Sequence, residues 1–272
     1  MSELKKDNYI LKSDAENDRL DRQSRMKAFD FKEELKHLSV FPGAKVLDAG
    51  CGTGIVTDYL SKIAPQVEVT GWDFSAERLT MAENKYGAAN ITFEQKNLLE
   101  LDIKTPLFDV IVCRFVLRHF DADGVQKVMQ NLFNVLKPGG VFYVVDVEGL
   151  MTDVYPCSDF LKTSLKNLRE AKAVSLEIAR KLPYLFSESG YQNIDWHVQT
   201  SLFKGEELSQ EIENLRQSIR NGEAFISNLL GGTENYKRLE DEYFAALSAP
   251  HCVLFYNKVI TTGVGSTTKQ GE

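Results

Sequence analysis

The chain has 272 residues, a formal net charge of −7 and a hydrophobic content of 43%. This length suits one large domain with insertions, or a domain plus a cap, and the hydrophobic content is ordinary for a globular chain. The acidic balance argues against a broad nucleic-acid footprint, and we therefore expect no nucleic-acid partner.

The cysteines and the polar N-terminal stretch indicate the cellular compartment in which the protein is expected. Four cysteines lie far apart without the spacing of a metal site, at Cys51, Cys113, Cys157 and Cys252. Reduced thiols in a cytoplasm are the simplest interpretation. The polar stretch 2–8 lacks the apolar region of a signal peptide, and no apolar run reaches membrane-spanning length. The sequence thus predicts a cytoplasmic protein with no metal and no membrane partner.

In chain order, residues 1–40 predict a helical arm or cap. The arm is rich in charge after Asp14, and Phe31, Leu35 and Leu38 then recur at helical spacing. The predicted organisation continues with a core at 41–150, a helical lid insertion at 151–180, core again at 181–204, a second helical lid at 205–248, a last core strand at 249–262 and a disordered tail at 263–272.

The segment after the first predicted strand carries the strongest signal. An apolar run at 46–49 is followed by glycines at 50, 52 and 54, and a helical pattern begins at Ile55. A strand, a glycine turn and a helix start in that order aim backbone N–H groups at a ligand. The dinucleotide fingerprint requires glycine where Ile55 stands, so an oxidoreductase is disfavoured.

An acidic residue, Asp73, directly follows the next predicted strand, 67–72. Asp73 follows the glycine turn by about 20 residues, where doubly wound sheets hold ribose hydroxyls. An alternative role is capping of the helix that starts near Ser75, because Asp and Ser both favour that position. The spacing from the glycine turn favours ribose binding.

The pattern Asp48-x-Gly50-x-Gly52-x-Gly54, together with Asp73, resembles the nucleoside-binding loop of class I S-adenosylmethionine-dependent methyltransferases. The turn at 136–140, Leu-Lys-Pro-Gly-Gly before an apolar strand, is similar to a second landmark of that family. The resemblance implies an α/β fold: a doubly wound, seven-stranded, mostly parallel sheet of the Rossmann-like methyltransferase type, with helical lid insertions. It also implies S-adenosyl-L-methionine as the cofactor.

The resemblance further implies which residues hold that cofactor. They are Asp48, Gly50, Cys51, Gly52 and Gly54 in the turn, Asp73 at the ribose, Phe74 against the purine, Asn97 and Leu98 at the adenine edge, Cys113 and Arg114 through their backbone, and Tyr9, Arg19 and Gln23 in an arm that approaches the methionine end. Asn97 stands where the family often has Asp, yet its amide oxygen can still accept a bond from the adenine amino group. Core packing of Phe74 and a plain charged helix for the arm remain alternatives.

Three side chains are candidates for a general base: His119, Glu148 and His197. Open α/β sheets bind ligands outside the carboxyl ends of their strands, which is where His119 and Glu148 are expected. A positioned base contributes about 10²–10⁴-fold when the acceptor arrives protonated. His119 could instead anchor the following loop, and His197 could simply pack beside Trp196.

The two lid segments and the arm are expected to cover the substrate. Five apolar side chains either line an acceptor pocket or only hold the lid helices together: Tyr155, Phe160, Phe225, Ile226 and Tyr243. Exposed lid helices could alternatively serve a homodimer interface.

The sequence therefore predicts an S-adenosylmethionine-dependent methyltransferase that acts on a small molecule by in-line displacement, in metabolite or natural-product biosynthesis. The segment after the fourth strand lacks the Asn/Asp-Pro-Pro-aromatic motif of enzymes that methylate nucleic-acid bases, which disfavours that activity. One alternative is a cofactor-binding protein of the same fold that does not methylate, either a rearrangement catalyst or a structural partner. A protein or RNA methyltransferase is the other.

Overall fold

A computed structural model describes residues 19–20, 22–103, 105–150, 154–171 and 175–266. One seven-stranded sheet runs through it in the order β3-β2-β1-β4-β5-β7-β6. The strands are β1 Lys45–Ala49, β2 Glu68–Asp73, β3 Ile91–Gln95, β4 Phe108–Arg114, β5 Leu136–Glu148, β6 Gln192–Phe203 and β7 Leu254–Val264. Strands β1 to β5 are parallel, and β7 pairs antiparallel with both β5 and β6. The predicted doubly wound, mostly parallel fold is confirmed.

Helices flank this sheet and extend beyond one end of it. In the described ranges the α-helices are α1 Phe31–Glu34, α2 Ile55–Leu60, α3 Ala76–Tyr86, α4 Ala122–Val135, α5 Asp159–Glu170, α6 Leu182–Glu188, α7 Glu206–Asn221, α8 Glu223–Leu230 and α9 Thr233–Leu247. Short 3-10 turns lie at Lys27–Phe29, Leu98–Glu100, Leu117–His119 and Ala179–Lys181. Glycines separate α7, α8 and α9 at 222 and at 231–232, where the sequence indicates breaks.

The central strands are covered on both faces of the sheet. Successive side chains of a strand point to opposite faces, so neighbouring residues enter different cores. Leu47 and Ile111 point into a core that α4 covers. Val46 and Val110, their neighbours in the chain, point into a second core on the opposite face, which Phe31 helps to cover. A sheet covered on both faces leaves its strand ends as the places where a ligand can approach.

A third core lies under the helices of the two predicted lid segments. Its members include side chains from α5, α7, α8 and α9, packed around Phe29, Phe203 and Tyr256. Ile226 and Tyr243 are buried in this core, whereas Tyr155 is 85% exposed. Phe160 is partly buried and packs under the guanidinium of Arg238, at 4.1 Å.

The last strand differs in detail from its expected position. Within the predicted strand 249–262, Val253 and Phe255 are exposed, and the continuously buried stretch is 258–261. The reason is register: the β5 pairing ends at Glu148 opposite Asn257, so the first residues of β7 pair with β6 alone. The strand also runs to Val264, beyond the start of the predicted tail.

Two further boundaries are corrected. The helix expected near residues 29–38 is only the single turn α1, which Asp30 caps by accepting a bond from the amide of Lys32. Strand β5 begins at Leu136, which already pairs with Phe108, so the Pro-Gly-Gly segment lies within the strand.

Two general expectations can be compared with the described residues. No helix there combines the length and apolar character that membrane crossing needs. All four cysteines are free thiols, as the interpretation of the sequence requires, and Cys51 and Cys113 are buried.

Candidate cofactor and acceptor site

The three glycines after β1 have different surroundings. Gly50, Gly52 and Gly54 all have positive φ, at +80°, +55° and +84°. A Cβ on Gly50 would lie 2.4 Å from Cγ2 of Val116, and one on Gly54 would lie 2.9 Å from Cβ of Ala82. A Cβ on Gly52 would meet nothing within 4 Å. Gly50 and Gly54 are thus required by packing inside the protein, and Gly52 is the position that leaves open main chain for a ligand.

Asp73 is bonded to this turn. Its Oδ2 accepts a hydrogen bond from the amide of Gly52 at 2.9 Å, and its Oδ1 accepts one from the amide of Ser75, also at 2.9 Å. The cap of α3 is Ser75, whose hydroxyl accepts from the amide of Arg78. Because the capping role belongs to Ser75, and each carboxylate oxygen has a second lone pair, Asp73 retains acceptor capacity for ribose hydroxyls.

Asp48, at the end of β1, connects the glycine turn to helix α2 through a hydrogen bond. Its Oδ2 accepts a hydrogen bond from the hydroxyl of Thr57 in α2, at 2.6 Å. Burial raises the pKa of Asp48 to about 6, and the nearby charge of Asp73 acts in the same direction. With 2% of its surface exposed, Asp48 positions the turn.

At the predicted adenine-binding site, Phe74 is partly exposed and the side chain of Asn97 already accepts a hydrogen bond. Phe74 is 45% exposed. Asn97 caps the 3-10 turn that begins at Leu98, because its Oδ1 accepts from the amide of Leu99 at 3.1 Å. Leu98 is buried, and its carbonyl accepts a bond from Asn131 at 2.7 Å. One lone pair and the amide hydrogens of Asn97 remain for a ligand.

At the end of β4, the side chain of Arg114 is committed to the protein. It pairs with Glu34 at 2.5 Å and donates to the carbonyl of Phe29 at 3.0 Å. Glu34 also accepts a bond from Lys258 at 2.8 Å. Burial by itself would raise the pKa of Glu34, but Arg114 and Lys258 hold that pKa below its ordinary value. The side chain of Arg114 is thus occupied within the protein, and Cys113 is buried, so any contact of these two residues with a cofactor would use their backbone.

His119 lies just beyond this strand end, in a positively charged environment. Burial lowers the pKa of His119 to about 3, and the guanidinium groups of Arg118, Arg78 and Arg19 contribute in the same direction. The imidazole is neutral near pH 7 and is a weak base there. Phe115, which links β4 to this turn, has a positive φ of 58°, an uncommon conformation for a non-glycine residue and one often found at functional sites.

The other two candidate bases have different surroundings. Glu148 lies at the carboxyl end of β5, and its carboxylate accepts bonds from the guanidinium and the amide of Arg180. His197 lies on the edge strand β6, four strand spacings or about 19 Å from β1 across the sheet. It contacts His37, at 4.9 Å between ring centroids, and burial lowers its pKa. Thus His119 and Glu148 share the carboxyl edge, whereas His197 lies apart from it.

The arm meets the second lid segment. Arg19 is buried and donates to Asn214 of α7 at 2.7 Å, and it also contacts Gln23 at 3.4 Å. Tyr9, the third predicted arm contact, lies outside the described residues.

Residues 46–140 match the family model described as "Methyltransferase domain". The matched segment contains the glycine turn. The core therefore has the Rossmann-like fold of methyltransferases, and its segment 46–140 matches their domain family.

Three comparisons place this methyltransferase domain among known proteins. Demethylmenaquinone methyltransferase of Deinococcus radiodurans is 40% identical over 98 residues, which are 35% of this chain and 40% of that protein. The [4+2]-cyclase SpnF has the same fold, with a TM-score of 0.57, 17% identity and coverage of 88% of this chain and 81% of that chain. The third is phosphoethanolamine N-methyltransferase 2 of Haemonchus contortus, in complex with phosphomonomethylethanolamine and S-adenosylhomocysteine. Its TM-score is 0.55 and its identity 17%, and the match covers 92% of this chain and 60% of that chain.

The sequence similarity to curated relatives is confined to part of each protein. Three of them share only 24%, 40% and 35% of their own length with this chain. The arm and the lids lie outside the matched segment 46–140.

The lid contributes a carboxylate that the sequence did not single out. Glu211 of α7 has no exposed surface, although the same helix carries other, more exposed acids. The signal that could have found it is helical phase, because Glu211, Leu215 and Ile219 recur every four residues and share the buried face.

Possible metal clusters and two surface hollows can be compared with the candidate site, within the residues that the structure describes. Within the described ranges, no group of three or more His, Cys, Asp or Glu side chains could hold a metal ion. Asp146, the acid at the end of β5, instead accepts bonds from the amides of Arg118 and Val147. Two hollows in the described surface, one between α3 and β3 and one at the amino ends of β2 and β3, contain none of the candidate residues. The glycine turn and Asp73 lie instead at the carboxyl ends of β1 and β2.

Proposed function

We propose that this protein transfers a methyl group from S-adenosyl-L-methionine to a small-molecule acceptor by in-line displacement. The observation that carries the proposal is the open main chain at Gly52, bonded to the carboxylate of Asp73 at the carboxyl edge of the sheet. The name of the Deinococcus relative, a demethylmenaquinone methyltransferase, supports a small-molecule acceptor.

The residues present fit a nucleoside with an amino-acid tail. Gly52 offers space where any side chain would stand, and Asp73 offers acceptors for two ribose hydroxyls. Phe74 is 45% exposed, and an aromatic ring at the predicted adenine-binding site fits stacking on a purine. Arg19 carries a positive charge suited to the carboxylate of the methionine end. The Haemonchus neighbour, which contains S-adenosylhomocysteine, supports this cofactor.

For the proposed methyl transfer, the main task of the protein is to align the acceptor with the methyl group. S-adenosylmethionine, when bound, supplies a methyl group that is already electrophilic. The turn and Asp73 orient the ligand, and holding both reactants in line can contribute about 7–11 kcal/mol to lowering the barrier. Apolar side chains pack under the lid helices, and an apolar cover over the strand ends would exclude water from the reacting centre. A base is needed only for an acceptor that arrives protonated.

A protein of this fold that binds the cofactor without methylating is the second candidate. The likeness to a [4+2]-cyclase favours it, because that neighbour has the same fold and a name that denotes a different reaction. Methylation of a protein or an RNA receives less support, since such partners favour a basic face and the chain carries a net charge of −7.

Two measurements test the proposal. Calorimetric titration of the purified protein should give saturable binding of S-adenosylhomocysteine and none of NAD. The protein should then move a radiolabelled methyl group from S-adenosylmethionine to an acceptor in a panel of small metabolites. Failure to bind S-adenosylhomocysteine would contradict the proposal, and binding with no transfer to any acceptor would favour the non-methylating alternative.

A further inference from the structure

Glu211 is the centre of a buried polar network under the lid. Its Oε1 accepts a hydrogen bond from the hydroxyl of Tyr256 at 2.8 Å, and its Oε2 accepts one from the amide of Asn214 at 3.0 Å. Asn214 in turn accepts a bond from Arg19 of the arm at 2.7 Å. Arm, lid helix and sheet therefore meet at one carboxylate. Glutamate side chains are rarely fully buried unless they are paired, because burial of a carboxylate is costly.

This network borders the carboxyl edge of the sheet. The β5–β7 pairing ends with Glu148 opposite Asn257, so Tyr256 lies just beyond the end of β5. The ring of Phe29 bridges the remaining gap, with its centroid 6.1 Å from that of Phe115 and 6.3 Å from that of Tyr256. Phe115 directly follows β4. Glu211 thus lies on the side of the lid that faces the strand ends where ligands of open α/β sheets bind.

A second tyrosine provides independent evidence for a missing polar partner. Tyr243 of α9 is 1% exposed, and its hydroxyl has no hydrogen-bond partner among the described residues. Burial raises the pKa of Tyr243, and the nearby charge of Glu211 raises it further. An unsatisfied buried hydroxyl costs about 1–3 kcal/mol. A polar group of a bound ligand would remove that cost.

Building on the methyl transfer proposed above, we propose that Glu211 and Tyr256 receive the hydroxyl group of a phenolic acceptor and that Glu211 takes its proton. The O–H bond of the phenol breaks, and the proton passes to a carboxylate oxygen of Glu211, which becomes neutral. The electron pair left on the phenolic oxygen forms the new bond to the methyl carbon. The carbon–sulfur bond breaks at the same time, and its electron pair stays on sulfur.

The surroundings select a phenol over an amine. The walls of the network are aromatic: Phe29, Phe203 and Tyr256 pack with ring centroids 5.0–6.3 Å apart. The guanidinium groups of Arg19 and Arg118 act on Glu211 and Tyr256 respectively. Two positive charges disfavour a cationic amine and stabilise the negative charge that develops on a phenolic oxygen.

The protonation behaviour of Glu211 fits this role. Burial raises the pKa of Glu211 to about 7, against the opposing effects of Tyr256, Asn214 and Arg19. The titratable or charged groups that face it are Arg19 from the arm, Tyr256 from β7 and Tyr243 from α9. A base that titrates near pH 7 can accept a proton and release it again at neutral pH.

The test uses protein saturated with S-adenosylhomocysteine and three small probes. 4-Methylphenol carries the proposed hydroxyl, 4-methylanisole is its methylated form without the proton, and benzylamine is the cationic alternative. Binding is followed by saturation-transfer NMR and calorimetry. We expect 4-methylphenol to bind at least about tenfold more tightly than 4-methylanisole, the value of one hydrogen bond to a charged group. Its affinity should rise with pH as Glu211 ionises, because the phenol itself stays neutral until about pH 10.

Two variants on the same helix complete the test. Glu211→Gln should remove the preference for 4-methylphenol and its pH dependence, and should leave the affinity for S-adenosylhomocysteine within about threefold of wild type. The exposed neighbour Glu213→Gln should behave as wild type. The inference is overturned if 4-methylphenol fails to bind saturably, if Glu211→Gln keeps the preference, or if benzylamine binds more tightly than the phenol. Failure to bind S-adenosylhomocysteine at all is a separate result, which contradicts the proposed function.

Discussion

The amide of Gly52 donates a hydrogen bond to Oδ2 of Asp73 at 2.9 Å, across 21 residues of sequence. The two residues follow neighbouring strands, since β1 and β2 pair in register up to Ala49 and Trp72. The carbonyl of Trp72 also accepts bonds from the amides of Gly50 and Cys51. The glycine turn and the acid are therefore one rigid unit, and the open main chain and the candidate ribose acceptor are held side by side.

Replacing Asp73 should weaken cofactor binding. In Asp73→Ala, the loss of charge-assisted bonds to ribose should reduce the affinity for S-adenosylhomocysteine by about 1.5–3 kcal/mol, or about 10- to 150-fold. Isothermal titration calorimetry measures the change. Since Asp73 also holds the amides of Gly52 and Ser75, circular dichroism must first establish that the variant is folded. Asp58→Ala, which removes a surface ion pair with Lys62, is the control and should leave affinity unchanged. Wild-type affinity in folded Asp73→Ala would exclude Asp73 from the ribose site.

Gly52 and Gly43 form a matched pair that separates backbone strain from ligand contact. Both have positive φ, +55° and +77°, and a Cβ on either would meet no atom within 4 Å. Gly52→Ala and Gly43→Ala should therefore each lower the free energy of unfolding by a similar amount, about 1–2 kcal/mol. Only Gly52→Ala should reduce the affinity for S-adenosylhomocysteine, by more than about tenfold, because its methyl group occupies the space of the ligand. Equal affinities in the two variants would refute the assignment of Gly52 to the ligand.

The parts of the site that could be predicted from the sequence depend on local patterns. A strand, a glycine turn and an acid at a fixed distance are encoded within about 30 residues of a βαβ unit. By contrast, Glu34 pairs with Arg114, which is 80 positions away in the sequence, and with Lys258, which is 224 positions away. Glu211 and Tyr256 are 45 positions apart.

Such long-range pairs leave no local signature. Charged residues are mostly exposed, so the acids of α1 and α7 are expected at the surface until their distant partners are known. The sequence also could not distinguish the three glycines, because the neighbours Val116 and Ala82 that require Gly50 and Gly54 come from other elements.

Removing Glu34 should destabilise the fold strongly. Glu34→Ala would leave Arg114 and Lys258 without their shared carboxylate, and Lys258 is only 2% exposed. Loss of one partner of a buried ion pair typically costs about 3–5 kcal/mol. Urea denaturation measures the free energy of unfolding. Glu33→Ala is the matched control, because the adjacent Glu33 makes only a surface pair with Lys36, which is worth about 0–1 kcal/mol. Similar costs for the two substitutions would mean that the buried network does not stabilise the fold.

The titration of Glu211 should make stability depend on pH. Its pKa is raised from 4.5 to about 7 in the folded protein, so the folded state retains a proton that the unfolded state releases between those values. The stabilising contribution is full below about pH 4.5 and is lost as pH rises through about 7, by up to about 3 kcal/mol. Burial raises the pKa values of Asp48 and Asp146 to about 6, which gives a slope of the same sign. The contribution of Glu211 must therefore be measured as a difference between variants.

That difference is the free energy of unfolding of wild type minus that of Glu211→Gln, from urea denaturation at several pH values from about 5 to 8. It should fall steadily with pH, because glutamine keeps the shape of the side chain and does not titrate. The same difference taken with Glu213→Gln should stay flat, since Glu213 is exposed on the other face of the helix. Parallel curves for wild type and Glu211→Gln would mean that Glu211 is ionised at low pH in the folded protein. It would then still accept the hydrogen bonds of Tyr256 and Asn214, but it would be too weak a base to take a proton from a phenol near neutral pH.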